Sequence, residues 1–266
     1  MNNRLIVAIP HYNDQKDLLE SIKSIDEPFA VDLVIVDDGS DIKPKLTQIQ
    51  TKLKKGLVKL ICLAENKGIT YALNKALDFA KKNNYKYIAR LDAGDICYKN
   101  RFSKQISFLK KNNEIQLVGT WARVIKANGD FLYNLKHPSL DKVIRKKIYL
   151  NSMFVHPTIM FKTSILEKVK EYPANYANSA QDYAFIFEVL KYYKCANIPE
   201  ILLDYVVNEN SISKTRRKEQ VKNRIKILLS NFRFGFYPIY GLIRNIIIFF
   251  IPLFVLNLIK RAVWSN

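Results

Sequence analysis

Four short apolar runs punctuate the first hundred residues, at 5–9, 33–36, 57–63 and 87–91. Each is rich in Ile, Val or Leu and lacks strict alternation, as a strand buried on both faces requires. Between the first two runs, Leu18, Leu19, Ile22 and Ile25 recur at helical spacing. Between the third and fourth, Ile69, Ala72, Leu73, Ala76, Leu77 and Ala80 do the same. Strand–helix–strand repetition predicts right-handed crossovers, and hence an α/β fold with a mostly parallel sheet flanked by helices. Beyond residue 100 the pattern predicts a helix over 99–112, then two strands in "IQLVGTWARVIKANGDFLYN" joined at Asn128-Gly129. "AQDYAFIFEVLKYYK" reads as a helix burying Phe185, Val189 and Tyr192/Tyr193. Residues 1–210 therefore read as one unit.

The last part, 211–266, has a different texture. A basic stretch, "KTRRKEQVKNRIK" (214–226), precedes "FGFYPIYGLIRNIIIFFIPLFVLNLIK" (234–260), which is almost wholly apolar apart from Arg244, Asn245, Pro252 and Asn257. Its most apolar stretch, 246–256, is shorter than the roughly 20 residues a spanning helix needs. A helical segment lying in a membrane surface is the expectation, with Arg233, Arg244, Lys260 and Arg261 on anionic headgroups. A tilted span over 236–259 and a buried C-terminal helix are the alternatives.

Charge sharpens that reading. A formal net charge of +19 over 266 residues predicts attraction to an anionic partner. The basic residues gather beside the apolar tail, and no helix-turn-helix, zinc or RNA-binding signature is present, so a membrane surface is expected and nucleic acid is not. A basic nucleic-acid- or membrane-binding protein without catalysis is the rival class. Cys62, Cys97 and Cys195 form no CxxC pair, which argues against a disulfide framework or zinc site and suits a reducing compartment. The opening "MNNRLIVAIPHYN" carries too short an apolar run for a secretory signal, so the cytoplasmic side is expected.

The chemistry sits at the strand ends. The four runs terminate in "PHYN", "DDGS", "AENKG" and "DAGD", and parallel sheets bind ligands beyond the carboxyl ends of their strands. Asp92 and Asp95 of "ARLDAGDI" repel each other unless compensated. A divalent cation shared with phosphate oxygens would do this, and so would a cap or an ion pair to Arg90 or Arg101. Neither GxGxxG nor GxxxxGK[ST] occurs.

"VAIPHYN", "VIVDDGSD", "NKGITYALNKAL", "YIARLDAGDI", "HPTIMFK" and "QDYAFIFEVL" stand in the order and approximate spacing of family 2 glycosyltransferases, which the chain resembles from about residue 4 to 207. The resemblance implies the Rossmann-like GT-A fold and an inverting transfer from a nucleotide-sugar, a UDP-sugar first. The acceptor it implies is a lipid-linked or oligosaccharide glycan of the bacterial surface, such as lipopolysaccharide, O-antigen or capsule. It places Pro10, His11 and Tyr12 at the base pocket, with Asp37 and Asp38 as the nucleotide-binding second-strand acids, one of which accepts from a base imide. Asn66, Lys67 and Gly68 fall near the phosphates, and Asp92 and Asp95 at a Mn²⁺ or Mg²⁺ site, with Asp92 also toward the nucleotide. Asp182 is its catalytic base, and His156 a contact to diphosphate or acceptor, or else a structural imidazole. The chain departs from the family pattern at Gly94, where a third acid is usual, and at Gln181, where Glu is usual. These departures leave a catalytically inactive nucleotide-binding homologue as an alternative. A nucleotidyltransferase is disfavoured because "PHYND" replaces a glycine-rich first loop. His137 reads as a loop residue and Trp121 as core.

Overall fold

The computed structural model describes residues 4–176, 179–207 and 217–251. Strands β1 (Leu5–His11), β2 (Asp32–Asp37), β3 (Val58–Cys62) and β4 (Tyr87–Arg90) alternate with helices α1 (Gln15–Lys23), α2 (Leu46–Lys52) and α3 (Ile69–Lys82). Asp14 caps α1 by accepting from the Asp17 N–H. The inward residues of α1 and α3 are those the spacing marked: Leu18, Ile22 and Ile25 on one side, Ala72, Leu73, Ala76, Leu77 and Ala80 on the other. After β4 come β5 (Ile96–Cys97), α4 (Arg101–Lys111), β6 (Ile115–Lys126), β7 (Phe131–Leu135) and α5 (Asp141–Lys147). β8 (Met160–Lys162), α6 (Gln181–Tyr192) and β9 (Lys194–Val207) complete the α/β unit.

The strands form one sheet in the order β3-β2-β1-β4-β8-β6-β9-β5, with β7 paired to β6. Its first four strands are parallel, as expected. The remainder is mixed: β8 runs antiparallel to both β4 and β6, β5 antiparallel to β9, and β6 parallel to β9. "Mostly parallel" thus holds for one half of the sheet. The other half begins where the βαβ rhythm stops, and antiparallel partners need no helical crossover.

Other expectations shift for similar reasons. β3 is an edge strand and half exposed, so its apolar run is covered on one side only. Tyr192 is 56% exposed, while Phe185 and Val189 are buried in α6 as expected. α2 has no counterpart in the sequence reading because only Ile49 of it is buried.

Two apolar clusters pack the two faces of the sheet, and Arg90 and Arg101 lie fully buried between strands and loops. Arg101 Nη2 donates to the carbonyls of Arg90 and Pro157, and Arg90 Nη1 to those of Ala8 and Leu91. Their hydrogen bonds go mainly to backbone, which leaves positive charge beneath the acidic rim at the strand ends.

Two further helices follow, α7 (Arg217–Ser230) and α8 (Phe236–Phe250). Among the described residues no helix is long and apolar enough to cross a membrane. Arg244 is half-buried, its Nη1 donating to the Leu150 carbonyl at 2.7 Å. Arg233 is exposed. Pro252, Asn257, Lys260 and Arg261 lie outside the described residues, as do 208–216.

Candidate active site

The carboxyl ends of β1, β2 and β4 open on a cavity of about 450 Å³ lined by Pro10, His11, Tyr12, Asp38, Asn66, Gly68 and Asp92. Seven of the expected residues thus meet at one place. Asp14 is an addition from the α1 cap. Asp37 is not among the lining. It is fully buried, with Oδ1 bound to His11 Nδ1 at 2.8 Å and to Ser40 Oγ at 2.5 Å, and Oδ2 accepting the Ser40 N–H. His11 Nε2 in turn accepts the Asp14 N–H at 3.3 Å, the pattern of a ring with its hydrogen on Nδ1. Of the two second-strand acids, Asp38 therefore faces the cavity, and Asp37 orients His11.

Asp38 faces the cavity while accepting the N–H groups of Lys67 and Gly68, both at 2.8 Å. This ties the loop after β2 to the turn that starts α3. The two loops touch at Gly39 (φ +74°), where a Cβ would sit 2.4 Å from the Glu65 carbonyl carbon, so only glycine fits. Lys67 does not line the cavity here: its Nζ pairs with Glu65 at 3.4 Å and lies over the Tyr71 ring.

Asp92 is half-buried and its Oδ1 accepts from Arg90 Nη2. Asp95 is 3% exposed, with Oδ1 accepting the Val206 N–H at 2.9 Å and Oδ2 without a hydrogen-bond partner among the described residues. Burial, and then the neighbouring Asp92, push the Asp95 carboxyl well above the usual carboxylate range. Gly94 separates the pair at φ +98°, its N–H donating to Ser21 Oγ on α1. A Cβ there would meet Asp17 Oδ2 at 3.5 Å, so an acid at this position would face a carboxylate on α1.

These residues fit a divalent cation. A buried carboxylate oxygen without a partner, beside a second carboxylate, is poorly compensated as it stands. Among the described residues no three His, Cys, Asp or Glu gather, so the protein offers two acids. That suits Mn²⁺ or Mg²⁺, which take one or two carboxylates and complete their shell with water and phosphate oxygens.

A second cavity of about 520 Å³ adjoins the first, sharing Ile69, Asp92 and Ala93 as its lining. Here Asp95, His156, Gln181 and Asp182 meet Tyr205 of β9 and Gln220 and Arg224 of α7. Asp182 stands in the first turn of α6, and burial pushes its carboxyl above the usual range, against the Tyr183 N–H and the Arg224 charge. His156 Nε2 is 2.9 Å from the Tyr172 hydroxyl, and burial lowers the imidazole well below its ordinary value. Tyr172 is stacked on Phe185 at 4.2 Å. His137 also lines the cavity, its imidazole pushed down to about 4 by burial. Trp121 lines neither cavity; its Nε1–H donates to the His137 carbonyl at 2.8 Å. Sequence reasoning missed Gln220 and Arg224 because they sit in what reads as a solvated basic helix.

A family model, Glycosyl transferase family 2, matches residues 6–170. An O-antigen biosynthesis glycosyltransferase, WbnJ of Escherichia coli, is 31% identical over 220 residues, covering 79% of this chain and 82% of its own. The amylovoran biosynthesis glycosyltransferase AmsE of Erwinia amylovora is 26% identical over 90% of this chain and 91% of its own. Among solved structures, Staphylococcus aureus TarS 1–349 in complex with UDP-GlcNAc superimposes with a TM-score of 0.65 at 18% identity, over 91% of this chain and 71% of that one. The mannosyltransferase PcManGT of Pyrobaculum calidifontis, in complex with GDP-Man and Mn²⁺, gives 0.62 at 17% identity, over 91% and 68%.

Proposed function

This chain belongs to glycosyl transferase family 2, with the Rossmann-like GT-A fold, and we propose that it is a metal-dependent, inverting glycosyltransferase that moves a sugar from a UDP-sugar to a hydroxyl of a growing, lipid-linked bacterial glycan. One observation carries the reading: two cavities meet at Asp92 and Ala93, with an unpartnered Asp95 oxygen and Asp182 lining the second.

In this reading the first cavity takes the nucleotide. Pro10, His11 and Tyr12 flank the base, Asp38 accepts from its imide, and Asn66 and Gly68 border the phosphates at the start of α3. Asp92 and Asp95 hold Mn²⁺ or Mg²⁺, which when bound supplies Lewis-acid stabilisation of the departing diphosphate. The second cavity takes the acceptor. Asp182 removes the proton from the acceptor hydroxyl as its oxygen bonds to the anomeric carbon and the sugar–phosphate bond breaks. His156, held neutral by burial and then by the Arg90 charge and hydrogen-bonded to Tyr172, offers a hydrogen bond to sugar or diphosphate without adding charge. The test is nucleoside diphosphate release from UDP-, GDP- and dTDP-sugars with Mn²⁺ and a bacterial lipid extract. Release from a UDP-sugar that depends on the extract supports the reading; no release from any donor refutes it.

The relatives' surface-polysaccharide names and the C-terminal helices support attachment at the cytoplasmic membrane face through 211–266. Phe236, Ile239, Tyr240, Ile243, Ile246, Ile247 and Phe250 form one exposed stripe along α8. At 15 residues the helix extends roughly 22 Å, which suits lying in an interface. A cavity of about 270 Å³ whose lining includes Arg145, Lys191 and Arg233 lies at the turn before it, and these cations support a headgroup contact in this reading. Replacing both Ile243 and Ile247 by Glu lowers binding to anionic vesicles at least about tenfold, since each buried Ile contributes about 1.5–3 kcal/mol. Unchanged co-sedimentation would remove α8 as the contact.

A further inference from the structure

Asp182 is reached through an unusual turn. Ala180, immediately before α6, has φ +72° and ψ 18°, the left-handed region that non-glycine residues avoid. It offers α6 no side-chain cap, although its carbonyl accepts the Ala184 N–H at 3.0 Å. Strain of this kind persists only where neighbours enforce it.

The enforcement comes from α7, which lies beyond the 6–170 match. Asn223 Nδ2 donates to the Ser179 carbonyl at 3.1 Å and to Ser179 Oγ at 2.8 Å. Asn223 is 7% exposed and Ser179 4%, so water does not compete freely for these bonds. The same face of α7 carries Gln220 and Arg224 into the acceptor cavity and Ile227 and Leu228 into the core. These positions follow i, i+3, i+4, i+7, i+8 spacing, so one helical stripe both anchors α7 and reaches the site. Arg224 is fixed in turn, with Nη2 donating to Asn151 Oδ1 at 2.7 Å and the guanidinium over the Tyr183 ring.

We propose that Asn223 is a positioning residue for catalysis: by pinning Ser179 it holds Ala180 in the left-handed conformation that aims Asp182 into the acceptor cavity. Helix α7 is then a working part of the catalytic unit, although it belongs in sequence to the basic C-terminal segment. The inference rests on Asp182 acting as the base. Its structural half, that Asn223 controls the turn, stands apart from that reading.

The experiment compares full-length Asn223→Ala, Ser179→Ala and the double variant Asn223→Ala/Ala180→Gly with the wild type. Three readouts are used: nucleoside diphosphate release from the same panel of UDP-, GDP- and dTDP-sugars with Mn²⁺ and lipid extract, UDP affinity by calorimetry, and hydrogen exchange across 181–185. In Asn223→Ala, turnover falls by roughly ten- to a hundredfold, the effect of small misplacements of a reacting group, while UDP affinity stays unchanged. Exchange across 181–185 speeds up. Ser179→Ala keeps the carbonyl contact and loses less. Ala180→Gly restores much of the loss, because glycine enters the left-handed region without a Cβ penalty. A purely structural asparagine would lower melting temperature and UDP affinity together, with no rescue by glycine, and that result overturns the proposal. So does unchanged exchange across 181–185. Absence of nucleoside diphosphate release in the wild type removes the functional reading, and the exchange measurement still decides whether Asn223 controls the turn.

Discussion

Asp182→Asn leaves nucleotide-sugar binding at wild-type affinity and lowers transfer by roughly a hundredfold to ten-thousandfold, the share a positioned general base contributes. The carboxyl is buried at the start of α6, and burial pushes it above the usual range. A carboxylate raised in this way is a better proton acceptor than an ordinary aspartate. Transfer therefore falls as pH drops through this raised value, so the acidic limb of the rate profile lies above that of an ordinary aspartate. The Arg224 charge opposes the shift, while Asp92 adds to it. Arg224→Gln accordingly moves the acidic limb to higher pH. Stability separates this role from a simple helix-terminal acid. A folded value above the unfolded one destabilises the fold as pH rises from the unfolded value through the folded one, and the full cost remains above that. At pH 7 the asparagine variant should melt no lower than the wild type. A clear drop in melting temperature, with transfer unchanged, would return Asp182 to a merely stabilising acid at a helix N-terminus.

Asp95→Asn abolishes the thermal stabilisation that Mn²⁺ and UDP together confer on the wild type. At a hundredfold excess over the dissociation constant, that stabilisation amounts to about 2.7 kcal/mol. The variant without ligand should be at least as stable as the wild type. An amide in place of a 3%-exposed carboxylate with one unpartnered oxygen removes the burial of a charge. Asp92→Asn weakens the same shift less, since Arg90 already engages one Asp92 oxygen. A full Mn²⁺–UDP shift in Asp95→Asn, measured by differential scanning fluorimetry, would show that the ion sits elsewhere.

The two results bear on why Gly94 is tolerable where a further acid is usual. The residue sits at φ +98° with its N–H on Ser21 of α1, and a side chain would face Asp17. The local backbone and the packing of α1 both favour glycine there. The remaining acids are arranged asymmetrically, one solvent-reachable and paired to Arg90, one buried and unpaired. Under the proposed function, such an arrangement would offer a cation one buried ligand and one at the rim.

The sequence by itself determined the parallel half of the sheet, the inward faces of α1 and α3, and the meeting of four polar strand ends at one rim. Those features depend on local periodicity and on the rule that parallel strands gather their carboxyl ends, so a single strand and its neighbours suffice. It also marked Asp92 and Asp95 as acids in positions that need compensation, while Asp182 was marked only by the family resemblance. Only the tertiary structure decided which groups provide that compensation. Asp37 turned inward to His11, 26 residues away in sequence; Lys67 turned outward to Glu65; Arg244 reached back 94 residues to Leu150. It also brought Asn223 44 residues back to Ser179 and placed Arg224 beside Asp182. A basic helix reads the same from its composition whether its charges face water or an active site. The difference lies in long-range packing, here the burial of Ile227 and Leu228, which turns one stripe of α7 toward the second cavity.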